Sequence, residues 1–178
     1  AIAAAAGMLA LLVISIVATG WTAFYQHSIA LDVTFEAKVI DPKGGRDPSV
    51  LARADYRKLA RASLRKLFPD VKKRGDKRKL YGLLSIGVDQ QLAELVAADP
   101  SLIGQTRRVE IYASDDVDSF LKGFIDREAP ESDRRIKDKE IAWLDKLETD
   151  GAITSHLNLR FWTKGDSREP ELAGFWGA

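Results

Sequence analysis

The chain has 178 residues, with 27 Lys and Arg against 26 Asp and Glu, two His and no Cys. The absence of Cys excludes disulfides, thiolate metal sites and Cys nucleophiles. The near-zero net charge selects no class of partner, and the length suits one domain with a sizeable core plus a short additional segment.

The first segment, Ile2 to Phe24, carries no charged residue, and none appears before Asp32. Read as one helix it would be roughly 34 Å long at about 1.5 Å per residue, enough for a hydrocarbon core of about 30 Å. Trp21, Phe24 and Tyr25 gather at its end, where amphipathic rings favour a membrane interface. Residues 1–25 are therefore expected to form a transmembrane helix. A signal peptide and a buried core helix are the competing readings, disfavoured by the length of the run and by its lack of polar positions.

Residues 26–170 are expected to form a single α+β domain of about three strands and four helices. IALDVTFEAKVI (29–40) is expected to form a strand: Ile29, Leu31, Val33 and Phe35 alternate with Ala30, Asp32, Thr34 and Glu36, the period of a half-buried strand. The Gly/Pro/Asp cluster at 41–48 is a turn region. A helix is expected from Ser49 to Phe68, stopped by Pro69, with Tyr56, Leu59, Leu64 and Leu67 on its apolar side. Arg53, Arg57, Lys58, Arg61 and Arg65 stand opposite. A second helix is expected from Asp76 to about Ala98, weakened by Gly82 and Gly87.

Residues 106–114 read as a strand, with Val109 and Ile111 inward; Arg107 and Arg108 read as guards of a strand edge. A short helix capped by Asp115 or Asp116 should end at Gly123, and a longer one over about Asp138 to Thr149 at Gly151. The alternation from Ile153 to Trp162 predicts a last strand. Residues 171–178, with Phe175 and Trp176, turn apolar again and would lead into a second membrane span with its own interface aromatics.

Motifs for catalysis are missing from the sequence: there is no G-x-S-x-G, no H-E-x-x-H and no G-x-x-x-x-G-K-[ST]. No cofactor is implied, and His27 and His156 have no zinc spacing. Asp115, Asp116 and Asp118 could hold a hard cation, but helix capping is the expected role. Between Arg53 and Lys79 stand 12 Lys and Arg against 3 acids, whereas Glu110 to Glu148 has 12 acids against 7 Lys and Arg. This asymmetry implies either mutual pairing or two distinct surfaces. Arg53, Arg57, Lys58, Arg61 and Arg65 form the candidate anion or partner surface, with a solvated helix face as the plain alternative. Nucleic acid is not expected, because aromatic and base-reading partners are sparse.

Taken together, IALDVTF (29–35), LARADY (51–56), LYGLLS (80–85), DPSLIGQTR (99–107), ASDDVD (113–118) and GDSREPELAGFWGA (165–178) resemble the N-terminal region of the PstA family of phosphate ABC transporter permeases. The resemblance implies a first span and a periplasmic domain in a bacterial inner-membrane permease. Its partners would be a second permease subunit, a cytoplasmic ATPase subunit, a periplasmic phosphate-binding protein and membrane lipid. The domain would dock the binding protein or the partner permease; a structural brace for the spans, or a membrane-anchored sensor unrelated to transport, are the alternatives. No phosphate-pathway residue is implied within these 178 residues.

Overall fold

A computed structural model describes residues 2–157. The chain opens with helix α1 (Ile2–Gly20), a four-residue 3-10 turn at Trp21–Phe24, and strand β1 (Tyr25–Thr34). Helices α2 (Ala37–Ile40), α3 (Pro48–Ala52), α4 (Tyr56–Leu67), α5 (Arg74–Tyr81) and α6 (Val88–Ala98) follow, then strand β2 (Thr106–Tyr112). Helices α7 (Asp115–Leu121) and α8 (Asp138–Thr149) lead to strand β3 (Ile153–Leu157). The three strands form one antiparallel sheet in the order β2-β1-β3, with Leu31 opposite Val109 and His27 opposite Ser155.

Alternation in β1 sends Ile29, Leu31 and Val33 to one face, where they are fully buried with Phe35 just beyond the strand. That apolar stripe is covered by Leu59 and Leu64 of α4, Leu92 and Val96 of α6, and Leu144 and Leu147 of α8. Burying side chains of this size contributes about 1.5–3 kcal/mol each. A hydroxyl pins the layers: Ser63 Oγ on α4 donates to the Asp32 carbonyl at 2.8 Å.

The expected architecture needs two corrections. The first concerns the membrane. The α-helix stops at Gly20, so its 19 residues reach only about 28 Å. Among the described residues no helix is long and apolar enough to cross a membrane, which overturns the expected N-terminal transmembrane helix. The aromatic end of the run is drawn elsewhere: Trp21–Phe24 tightens into the 3-10 turn, and Tyr25 pairs in the sheet opposite Leu157. Helix α1 is nonetheless apolar on all sides, with Met8, Leu11 and Ile14 well exposed.

The second concerns the helices: after α1, seven (α2 to α8) are present among the described residues in place of about four. The stretch expected as one helix from Ser49 splits because Asp55 caps α4, its carboxylate accepting the Lys58 N–H at 3.0 Å. Upstream, Asp47 caps α3 in the same way through Ser49 at 2.8 Å, with Pro48 in the first turn. The second expected helix breaks at 82–87, where Leu84 makes a β-bridge to Ala113 and the Ser85 N–H donates to the Tyr112 carbonyl at 2.9 Å. One-turn α2 replaces the end of the expected first strand, after Glu36. Gly123 and Gly151, at φ +78° and +64°, stand where α7 and α8 end. The last strand is described only to Leu157, and residues 171–178 lie outside the described residues.

Candidate partner surface

The outer side of α4 is a line of guanidinium groups. Arg57, Arg61 and Arg65, at intervals of four, share one side of the helix, while Tyr56, Leu59, Ala60, Ser63 and Leu64 are buried on the other. The break after α5 sets Tyr81 against this line. The Arg61 guanidinium stands 5.0 Å from the Tyr81 ring centroid, and Arg65 Nη1 donates to Tyr81 Oη at 3.1 Å. Arg57 Nη2 donates to the Ile86 carbonyl at 2.7 Å and pairs with Asp89 at 2.6 Å. Beside the line lies an open groove of about 500 Å³, lined by Arg61, Arg78, Tyr81, Ser114, Asp116 and Arg135 among others. Across it Arg135 Nη1 pairs with Asp116 at 2.8 Å.

The charge asymmetry of the sequence is resolved by these pairs. Of the 12 cations from Arg53 to Lys79, Arg57 alone forms an ion pair among the described residues, and its partner Asp89 lies outside the acidic stretch. The sole ion pair between the basic and acidic stretches is Lys139–Asp76, at 3.1 Å, with its acid from the basic one. The stretches therefore do not neutralise each other by ion pairing, although Asp115 and Asp116 share a groove with Arg61 and Arg78. Arg61 stands out: it has no carboxylate partner among the described residues, and its Nε is buried without a hydrogen bond. A guanidinium held by an aromatic face and left without an anion is preorganised for one.

Of the residues singled out from sequence, Arg57, Arg61 and Arg65 come together. Lys58 is exposed, one position round the helix, and Arg53 ends α3. Arg78, Tyr81 and Arg135 join the site but come from other elements, which the periodicity of a single helix does not reveal. Trp21, Phe24 and Tyr25 do cluster, with ring centroids 6.4 Å (Trp21–Phe24) and 5.4 Å (Trp21–Tyr25) apart. Phe175 and Trp176 lie outside the described residues. Trp143 stacks at a tilt on Phe68, 6.2 Å away, against the core.

Within the acidic trio, all in the first turn of α7, Asp118 has a role other than capping. Ser114 is the N-cap of α7 and makes no side-chain cap bond. Asp118 ties α7 to β1: its Oδ1 accepts the His27 N–H and the His27 ring Nδ1, both at 2.9 Å, and its Oδ2 meets Lys122 Nζ at 2.6 Å. Burial raises the Asp118 carboxyl, but the bonds from His27 and Lys122 outweigh it and hold it below its ordinary range. Among the described residues no group of three or more His, Cys, Asp or Glu could hold a metal ion.

An α+β domain with a guanidinium face, on which Arg57 alone meets a carboxylate among the described residues, is the class that fold and site define. Residues 1–131 match the model of a family described as a domain of unknown function, DUF3333, and the chain belongs to that family. No curated protein and no solved structure matches it.

Proposed function

We propose that the domain is a protein-interaction module in the permease subunit of a phosphate-import ABC transporter, at the periplasmic side of a bacterial inner membrane. Its arginine face docks an acidic surface of the periplasmic phosphate-binding protein. The observation that carries this reading is the line Arg57–Arg61–Arg65 around Tyr81, with Arg61 unpaired by any carboxylate among the described residues. The permease assignment is supported by the resemblance of the stretches at 29–35, 51–56, 80–85 and 99–107. In that setting a second permease subunit and a cytoplasmic ATPase subunit complete the transporter, and this domain performs no catalysis. Charge complementarity of this kind governs encounter rate and choice of partner more than raw affinity.

The test is phosphate uptake by cells carrying the full-length permease with Arg57, Arg61 and Arg65 replaced by Glu, alongside the amount of permease in the membrane. Uptake should fall at unchanged protein level and partly recover as ionic strength rises, because salt screens the new repulsion. Lys58→Glu, off the line, should do less. Normal uptake by the triple variant refutes the docking role.

A second reading, a structural brace, is favoured by one observation: α1 exposes an apolar surface on all sides. A brace would reveal itself as loss of permease assembly on polar substitution of Leu11 and Ile14, with binding-protein affinity intact.

A further inference from the structure

We propose that the open edge of β2 is a strand-addition site for an extended segment of a partner protein, one bearing an acid flanked by aliphatic residues. β2 lies at the edge of the sheet. The Ala113 N–H donates to the His27 carbonyl and the Phe35 N–H to the Gln105 carbonyl, so the odd-numbered residues of this stretch turn their backbone groups toward β1. The even-numbered residues turn theirs outward.

The far half of that outer edge is already closed. Gln91 of α6 imitates a strand there, with Nε2 donating to the Glu110 carbonyl at 2.7 Å and Oε1 accepting the Tyr112 N–H at 3.2 Å. Beyond it the 84–113 bridge completes the pairing. The near half is open: the Arg108 N–H and carbonyl and the Glu110 N–H make no hydrogen bond among the described residues. A groove of about 760 Å³ runs between this edge and α6, floored in part by Leu95, Leu102 and Val109. A free edge beside an apolar-floored helix groove is the geometry in which main-chain bonds supply affinity and alternate side chains supply specificity.

Charge selects the occupant. Arg107 and Arg108 form no ion pair within 4 Å among the described residues, although Asp32 stands across from Arg108 on β1 and Asp99, on the opposite wall with Glu94, lies within electrostatic reach of Arg107. A residue opposite Arg108 shares its face of the sheet, away from α6, and should be acidic. Its two neighbours turn toward α6, opposite Arg107 and Val109, where Leu95 and Leu102 favour aliphatic side chains and Asp99 already offsets the charge of Arg107. A second copy of this chain fits poorly, since antiparallel pairing about Arg108 would set Arg108 against itself.

The probe is fluorescein-labelled Thr-Val-Glu-Val-Thr, titrated by anisotropy against the full chain held in a mild detergent that covers α1. We expect saturable binding below about 1 mM, with slowed amide exchange at Arg108 and Glu110. N-methylation of the central Glu should weaken binding about tenfold or more by deleting one main-chain bond and crowding the edge. The register-swapped Thr-Glu-Val-Glu-Thr should bind worse, and Arg108→Glu should transfer preference to a central Lys. The peptide variants test the site without requiring any protein variant to fold. Absence of saturable binding, equal binding of the N-methylated or register-swapped peptide, or displacement of the peptide by self-association of the chain would each overturn the proposal.

Discussion

Asp118 and His27, 91 positions apart, are joined twice through one carboxylate oxygen, which accepts both the backbone N–H and the ring Nδ1 of His27 at 2.9 Å. The contact anchors α7 against the end of β1, where that N–H would otherwise need another acceptor. Removing the carboxylate leaves a half-buried donor unsatisfied, so Asp118→Ala should cost about 2 kcal/mol of stability in urea denaturation at neutral pH. The Asp118 carboxyl is held below its ordinary value in the folded state. Its contribution is therefore present above the unfolded carboxylate value near pH 4 and is lost as pH falls through the lower folded value. Asp118→Asn should flatten that acid limb of the stability profile.

Tyr56 offers the complementary case on the alkaline side. Its side chain is fully buried, and Oη donates to the Leu51 carbonyl at 2.8 Å, joining α3 to α4. Burial raises its phenol above the ordinary value of 10.0. The stability this provides is intact below about pH 10, where the unfolded phenol titrates, and is lost as pH rises through the higher folded value. Tyr56→Phe should cost about 1–2 kcal/mol near neutrality and remove this group's share of the alkaline loss, as read by thermal melts from pH 8 to 11.

The sequence discloses local periodicity well and long-range partnership poorly. β1, β2 and α8 are legible because their apolar period of two or of about 3.6 matches a single buried face. The break before α4 is harder to read. Asp55 would serve equally as an exposed residue inside a helix, and its capping role exists only because the chain turns at Ala54. The apolar run through Phe24 conceals the change of conformation after Gly20, since Phe24 and Tyr25 suit a strand as well as a helix end. Within the site, intervals of four disclose Arg57, Arg61 and Arg65. Tyr81 and Arg135 arrive by tertiary folding, and the His27–Asp118 bond has no local signal at all.

Arg134 tests whether a buried cation stabilises this fold. Its side chain is almost fully buried and pairs with the exposed Asp138, while Nε and Nη1 lack hydrogen-bond partners among the described residues. Desolvation of a guanidinium with two unsatisfied positions outweighs one pair to a solvent-facing carboxylate. Arg134→Met should therefore leave stability unchanged or raise it. Asp138→Ala, which strands the cation, should cost about 2 kcal/mol. Differential scanning calorimetry of both variants decides the matter, and a large loss in Arg134→Met would refute the argument.

Asp89 separates capping from charge at the partner surface. One oxygen accepts the Arg57 N–H in the first turn of α4 at 2.7 Å, and the other meets Arg57 Nη2 at 2.6 Å. Both side chains of the ion pair are more than a third exposed, so the pair itself contributes at most about 1 kcal/mol. The bond to the α4 amide is the larger effect, worth about 1–2 kcal/mol. Asp89→Ala should accordingly destabilise the domain by more than Asp89→Asn, whose amide oxygen keeps the cap. Asp89→Asn also leaves Arg57 without its carboxylate, adding one uncompensated positive charge beside Arg61 and Arg65. If the arginine face docks an acidic surface, this variant should associate with the phosphate-binding protein faster than wild type at low salt, with the advantage fading as salt rises. Stopped-flow association measured at two ionic strengths would show it, and an unchanged rate at low salt would separate Arg57 from the docking line.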